Sequence, residues 1–191
     1  MVTMALRDLK IGISGINKGE PYMSSTSRIL TRTALLLALV LLFQSLRLVI
    51  PISPFLSTFL IGGLINCCLL IAVEMVGVGS ALVIVFLTPV VAYFQQVLPL
   101  PIFILPVALG NAIYISIFLL GKHWKYGMSI CVAAACKAAF MYFAFSWLLT
   151  LVEIPAKIAI GLLFAMSWPQ FVTGLLGGLL ADIIKKRLKL L

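Results

Sequence analysis

The chain has 191 residues, 63% of them hydrophobic and only 10% charged, with a mean hydropathy of +1.24 and a net charge of +9. That balance excludes an ordinary soluble domain, in which about a quarter of the residues are charged. A helix needs about 20 apolar residues to cross a hydrocarbon core about 30 Å thick, so the apolar length sets roughly five to seven crossings in one compact bundle.

Residues 1 to 27 are polar, carry Gly12, Gly15, Ser24, Ser25 and Ser27, and show no apolar period. They read as a flexible cytoplasmic leader. Met23 stands just before "SSTSRILTRTALLLALVLLF" and offers a second translation start. No small-residue cleavage pattern follows that apolar core, which argues against a cleaved signal peptide.

Residues 28 to 191 read as the membrane domain, an all-α bundle of six transmembrane helices. Its apolar spans run over about 33–51, 55–75, 79–98, 102–121, 127–150 and 156–184, with breaks at "PISPF", "EMVGVG", "LPLPI", "GKHWKYG" and "VEIPAK". An even number of crossings puts both termini on one side. If that side is cytoplasmic, it collects Arg7, Lys10, Lys18, Arg28, Arg32, Lys122, Lys125, Lys185, Lys186, Arg187 and Lys189, and leaves only Arg47 and Lys157 outside. The positive-inside rule therefore gives an N-in, C-in topology. It also accounts for most of the net charge through the lipid bilayer, with no nucleic acid partner.

Cys67, Cys68, Cys131 and Cys136 all fall in apolar runs, without CxxC spacing and with His123 as the only histidine. They read as small packing residues, and no metal or cofactor is expected. Pro89, Pro106 and Pro169 fall within spans, where each removes a backbone donor and frees a carbonyl. Gln170, directly after Pro169, makes the third the best placed to face a site.

The polar groups inside the spans carry the functional signal. Lys137 sits in "AAACKAAFMYF", and no acid occurs between Gly127 and Trp147. Counted from Met128 it lies about 14 Å along its helix, near the middle of the core. A lipid-facing lysine at that depth costs about 2.5 to 3.5 kcal/mol, so it should face the bundle, a cavity or a partner. The same count puts Asn66, Asn111 and Gln170 at similar depth on three other spans. This layer suits either an interhelical clamp or a pocket open to the outside, and Gly62 and Gly63 beside Asn66 favour close packing. The lysine tips the balance, because an anionic solute would supply the charge that no acid provides. Nearer the outer end, Arg47, Gln96, Tyr142 and Trp147 are candidate pocket residues. Arg47 with Lys137 would form an inward positive gradient, whereas Tyr142 and Trp147 equally suit an interfacial aromatic belt.

Catalytic patterns are missing from the sequence. Glu74, Glu153 and Asp182 fall at membrane edges, and there is no HExxH, GxSxG or GxxxxGK[ST]. A non-catalytic protein is expected, and a proton-coupled carrier would usually want an intramembrane carboxylate. No internal repeat is visible.

The first span, "SRILTRTALLLALVLLFQSLRLVIP", in a chain of six spans with a short polar leader, resembles the substrate-binding S components of energy-coupling factor transporters. These are small bacterial plasma-membrane proteins that capture vitamins and related micronutrients. The resemblance covers about residues 28 to 187, including "LIGGLIN" (60 to 66), "TPVVA" (88 to 92), "LPVALGNAIY" (105 to 114) and "GLLGGLLAD" (174 to 182). Its most specific piece is Ala34 and Ala38, matching the AxxxA pattern by which the first helix packs on a transmembrane coupling subunit. Two alanines one turn apart let another helix approach closely. The resemblance implies partnership with that subunit and two ATP-hydrolysing subunits. It also implies solute bound near the outer face under the loops joining spans 1 to 2 and 3 to 4, here "IPISPF" and "VLPLPIF", and release by toppling in the membrane. An autonomous small carrier or channel, or a structural subunit whose lysine meets a partner's acid, would use the same polar layer differently.

Overall fold

The computed structural model describes residues 25 to 49 and 53 to 188. The leader through residue 24, the possible start at Met23, Lys189 and most of the first outer loop lie outside the described residues. Helix α1, Ser25–Val49, begins ahead of position 33 and takes Ser25 to Ser27 out of the expected leader. Polar residues can open it because they bond within the helix: the Thr31 and Thr33 hydroxyls donate to the Ser27 and Ile29 carbonyls at 2.9 and 2.8 Å.

Helix α2, Pro54–Ile71, is capped by Ser53, whose hydroxyl accepts from Leu56 N at 3.3 Å, while Pro54 sits where no donor is needed. It runs into a π-helical turn, Ala72–Val76, that stops at Gly77 with φ 136°, a backbone angle suited to glycine. Helix α3, Val78–Phe94, ends short of position 98. Gln96 turns to φ 58°, and Val97 N donates to Ala92 O at 2.9 Å, which closes the helix.

A 3-10 turn, Pro101–Phe103, leads into α4, Ile104–Leu120, and a second, Gly121–His123, precedes α5, Tyr126–Leu151. Pro106 lies in the first turn of α4, so of the three expected mid-helix prolines only Pro89 interrupts a helix interior. The expected sixth span is broken into α6, Ala156–Ala165, and α7, Trp168–Leu188. Ser167 Oγ donates to Phe164 O at 2.7 Å at this break, and Pro169 cannot supply the donor that would continue the helix.

The described residues are helical without strands, and form a bundle in which five helical stretches are long and apolar enough to cross a membrane, the last of them interrupted, and Val78–Phe94 is a shorter apolar helix. Packing runs round a closed ring, in the order α1, α2, α7, α5, α4, α3 and back to α1, while α6 rests on α5 and α7. The α2–α7 seam is the tightest: a Cβ on Gly177 would lie 2.8 Å from Gly63 O, and one on Gly62 would lie 2.8 Å from Thr173 Cγ2. Lacking side chains, these glycines bring the two backbones together. One apolar core, around Leu70, Ile84, Tyr114 and Ile130, fills the half of the ring nearer Ser25 and Leu188. A second, around Met141, Phe103 and Phe145, lies toward the other end, where the two phenyl rings stack at 5.0 Å.

Candidate functional site

Lys137, midway along α5, is buried at 3% exposure, and its Nζ donates to Asn66 Oδ1 at 2.7 Å. An ammonium only donates, so the oxygen of the Asn66 amide must face it. The amide nitrogen is then turned to Thr173 Oγ1 at 3.2 Å, and that hydroxyl donates to Gln170 O at 3.1 Å. Each donor direction is forced by the one before it, and the chain ties α5 to α2 and α7. Beneath the ammonium, the Tyr114 ring lies 5.3 Å from Nζ, and its hydroxyl donates to Gly174 O at 2.7 Å. Among the described residues no carboxylate reaches Lys137. The ion pairs among the described residues lie toward Leu188: Lys185 with Glu74 at 2.7 Å and Lys186 with Asp182 at 2.6 Å.

Above this layer opens a cavity of about 440 Å³ bordered by Lys137, Asn66, Asn111, Gln170, Arg47 and Gln96. Six of the eight candidate solute-binding residues thus come together. On α2 its wall runs from Thr58 to Asn66, a rise of about 12 Å. The floor is packed: a Cβ on Gly174 would meet Ala134 Cβ at 2.7 Å. The mouth lies at the turn between α3 and α4, where Gln96 and Pro99 are exposed, and α6 supplies a side wall through Ile158, Gly161 and Leu162. Asn111 is buried at 5% exposure and makes no side-chain hydrogen bond among the described residues, so its amide is open to a solute. Gln170 has a second task, since its Nε2 donates to Ala165 O at 3.0 Å across the α6–α7 break.

Tyr142 and Trp147 do not join the site. They are 44% and 65% exposed, border no part of the cavity, and Tyr142 packs edge-on against Phe143. The reason is azimuth: at 100° per residue, Tyr142 is turned about 140° from Lys137 around α5, while the inward line continues through Met141, Phe145 and Leu148.

The cavity also holds polar residues not chosen as candidates: Gln44, Thr58, Thr88 and Gln95. Gln44 is 6% exposed and its Nε2 donates to Thr88 O at 3.0 Å. Two signals pointed there, since Gln44 shares the face of Arg47 three residues on, and Thr88 directly precedes Pro89. Thr88 Oγ1 donates to Ile84 O at 2.6 Å, and Gln95 Nε2 to Ser45 Oγ at 3.2 Å.

Comparison with protein-family models, with curated proteins and with solved structures gives no match to this chain. What the cavity can hold follows from its own groups. Its border carries two cationic side chains, Arg47 and Lys137, and no acidic one, with amides between them and apolar walls from Ile61, Ile65, Val107 and Leu162. Such a lining attracts an anion and hydrogen-bonds a polar body, with a volume in the range of small-molecule sites.

Outside the ring, Ala34 and Ala38 are exposed on the same face of α1 as Leu35 and Leu42. The pair is not consumed by packing inside the bundle, which leaves a smooth stripe turned outward.

Proposed function

We propose that this protein is the substrate-binding membrane subunit of an importer of the energy-coupling factor type, holding a small anionic micronutrient above Lys137. The observation that carries this reading is a buried ammonium with no carboxylate in reach among the described residues, at the floor of a 440 Å³ cavity. A bound anion would complete its coordination, since Asn66 occupies one of three donors. The mouth lies at the end of the bundle opposite Ser25 and Leu188. With Arg28, Arg32, Lys185, Lys186 and Arg187 near those positions, an N-in, C-in topology in a bacterial plasma membrane would put the mouth outside. The exposed Ala34 and Ala38 stripe supports docking of a coupling subunit, and two partner ATPases would supply the energy, the chain itself doing no catalysis.

The test is mass spectrometry of the solute that co-purifies with the detergent-solubilised protein, compared with Lys137→Met. The variant is expected to lose the solute. Wild-type occupancy in the variant would place the site elsewhere.

A further inference from the structure

Pro169 leaves a carbonyl without its helical partner, and the side chain of the next residue meets it. In a continuous helix the nitrogen four residues on would donate to Ala165 O, but that position is Pro169, which has no N–H. Gln170 Nε2 donates there instead at 3.0 Å, with a longer contact to Met166 Sδ at 3.7 Å. The carbonyl and the thioether only accept, so the amide nitrogen faces both and the oxygen is turned away from them. Gln170 borders the cavity, and its Oε1 accepts no hydrogen bond among the described residues. The side-chain atoms closed off without a partner there are Gln44 Oε1 and Arg47 Nε, so Gln170 Oε1 keeps accessible surface. Gln170 is also tied to the Lys137 layer: its carbonyl accepts from Thr173, whose hydroxyl accepts from Asn66, the partner of Lys137. The helix break thus sets an acceptor of fixed polarity in the wall of the cavity that Lys137 borders.

Resting on the reading of Lys137 as an anion site, we propose that the solute is a monoanion carrying a hydroxyl or N–H group, and that Gln170 Oε1 accepts from that donor. Lys137 has donors to give and Gln170 has an oxygen to fill. A solute meets both only if it joins an anionic end to a proton donor. An ether or a second carboxylate at Gln170 would set oxygen against oxygen, with no proton to share. Asn111 does not discriminate in this way, since its unbonded amide can turn either edge to a solute. The aliphatic walls from Ile61, Ile65, Val107 and Leu162 suit a carbon body joining the two polar groups. Gln170 is then a specificity-determining residue whose polarity is set by Pro169. A residue with an N–H at that position would satisfy Ala165 O from the backbone and free the amide to rotate.

The experiment measures binding to the full chain in detergent by calorimetry, with thermal shift as the check on folding. The probes are ω-hydroxyalkanoates of six, eight and ten carbons, each paired with its isomeric ω-methoxy acid, which has the same atoms and charge but no donor. At the best-fitting length the hydroxy acid is expected to bind about tenfold tighter than its isomer, the scale of one hydrogen bond made against two acceptors opposed. Gln170→Met is expected to bring that ratio near one, whereas a purely structural lesion would weaken both isomers and keep it. Asn111→Leu is expected to keep the ratio, which holds the test open should Gln170→Met not fold. Equal binding of the isomers at every length, a ratio that survives Gln170→Met, or one that is lost in Asn111→Leu overturns the proposal. If the isomers bind equally and need Lys137, only the donor inference falls. If no probe binds, or binding persists in Lys137→Met, the anion site falls with it.

Discussion

At the scale of single residues, the contact between Lys137 and Asn66 separates a binding role from a structural one. Asn66→Asp would set a carboxylate oxygen where an amide oxygen now accepts at 2.7 Å, giving the ammonium an internal counter-ion. If Lys137 awaits an anion, this change is expected to weaken solute binding about a hundredfold or more, the order set by a close opposite charge in a partly desolvated site. The melting temperature should stay within a few degrees, because the Thr173 hydroxyl can turn from Gln170 O to the second carboxylate oxygen. Unchanged binding in a folded variant would make the pair a clamp. Depth counting along apolar spans was enough to group Lys137, Asn66, Asn111 and Gln170, since rise per residue is fixed. It grouped Tyr142 and Trp147 with the pocket because depth carries no azimuth, and for Gln44, one turn from Arg47, it could not show the bond to Thr88 O, because no residue letter announces a backbone partner.

Among the helices, the α2–α7 seam and the α1 stripe make opposite predictions. Gly177→Leu would drive a side chain into Asn66 Cβ at 2.5 Å and the backbone of Gly63 and Cys67 at 2.8 Å. It is expected to cost about 1 to 3 kcal/mol or more and to weaken solute binding by moving Asn66, read as a lower thermal midpoint together with reduced occupancy. Ala34→Trp or Ala38→Trp adds bulk to an exposed face and should leave both quantities unchanged while, on the proposed reading, abolishing uptake by the importer. Uptake that survives either change would place the coupling face elsewhere on the bundle. Hydropathy located the six spans, but it could not locate their ends. The stop of α3 depends on Gln96 entering positive φ, and the break before Trp168 depends on hydrogen bonds from Ser167 and Gln170 to the preceding turn. Both are local closures within apolar sequence, where a hydropathy window sees no change.

For the molecule as a whole, the proposed topology predicts that a cysteine introduced at Lys157 reacts with an impermeant thiol reagent applied outside intact cells, while one at Lys122 is protected. The reverse pattern would turn the cavity mouth inward and remove the import reading. Below the ammonium, Tyr114 is bonded to Gly174, and Lys185 is paired to Glu74 while lying 4.2 Å from the Tyr126 ring. On the proposed reading the cavity is a vessel with one door, which would not pass its contents through its own base. On the proposed import reading, a solute held on Lys137 would leave by the route it came, and delivery to the other side would require that the whole vessel be turned over, with the contacts of Glu74, Lys185 and Tyr126 keeping its base shut. Proteoliposomes containing this chain alone should accordingly retain bound solute and accumulate none.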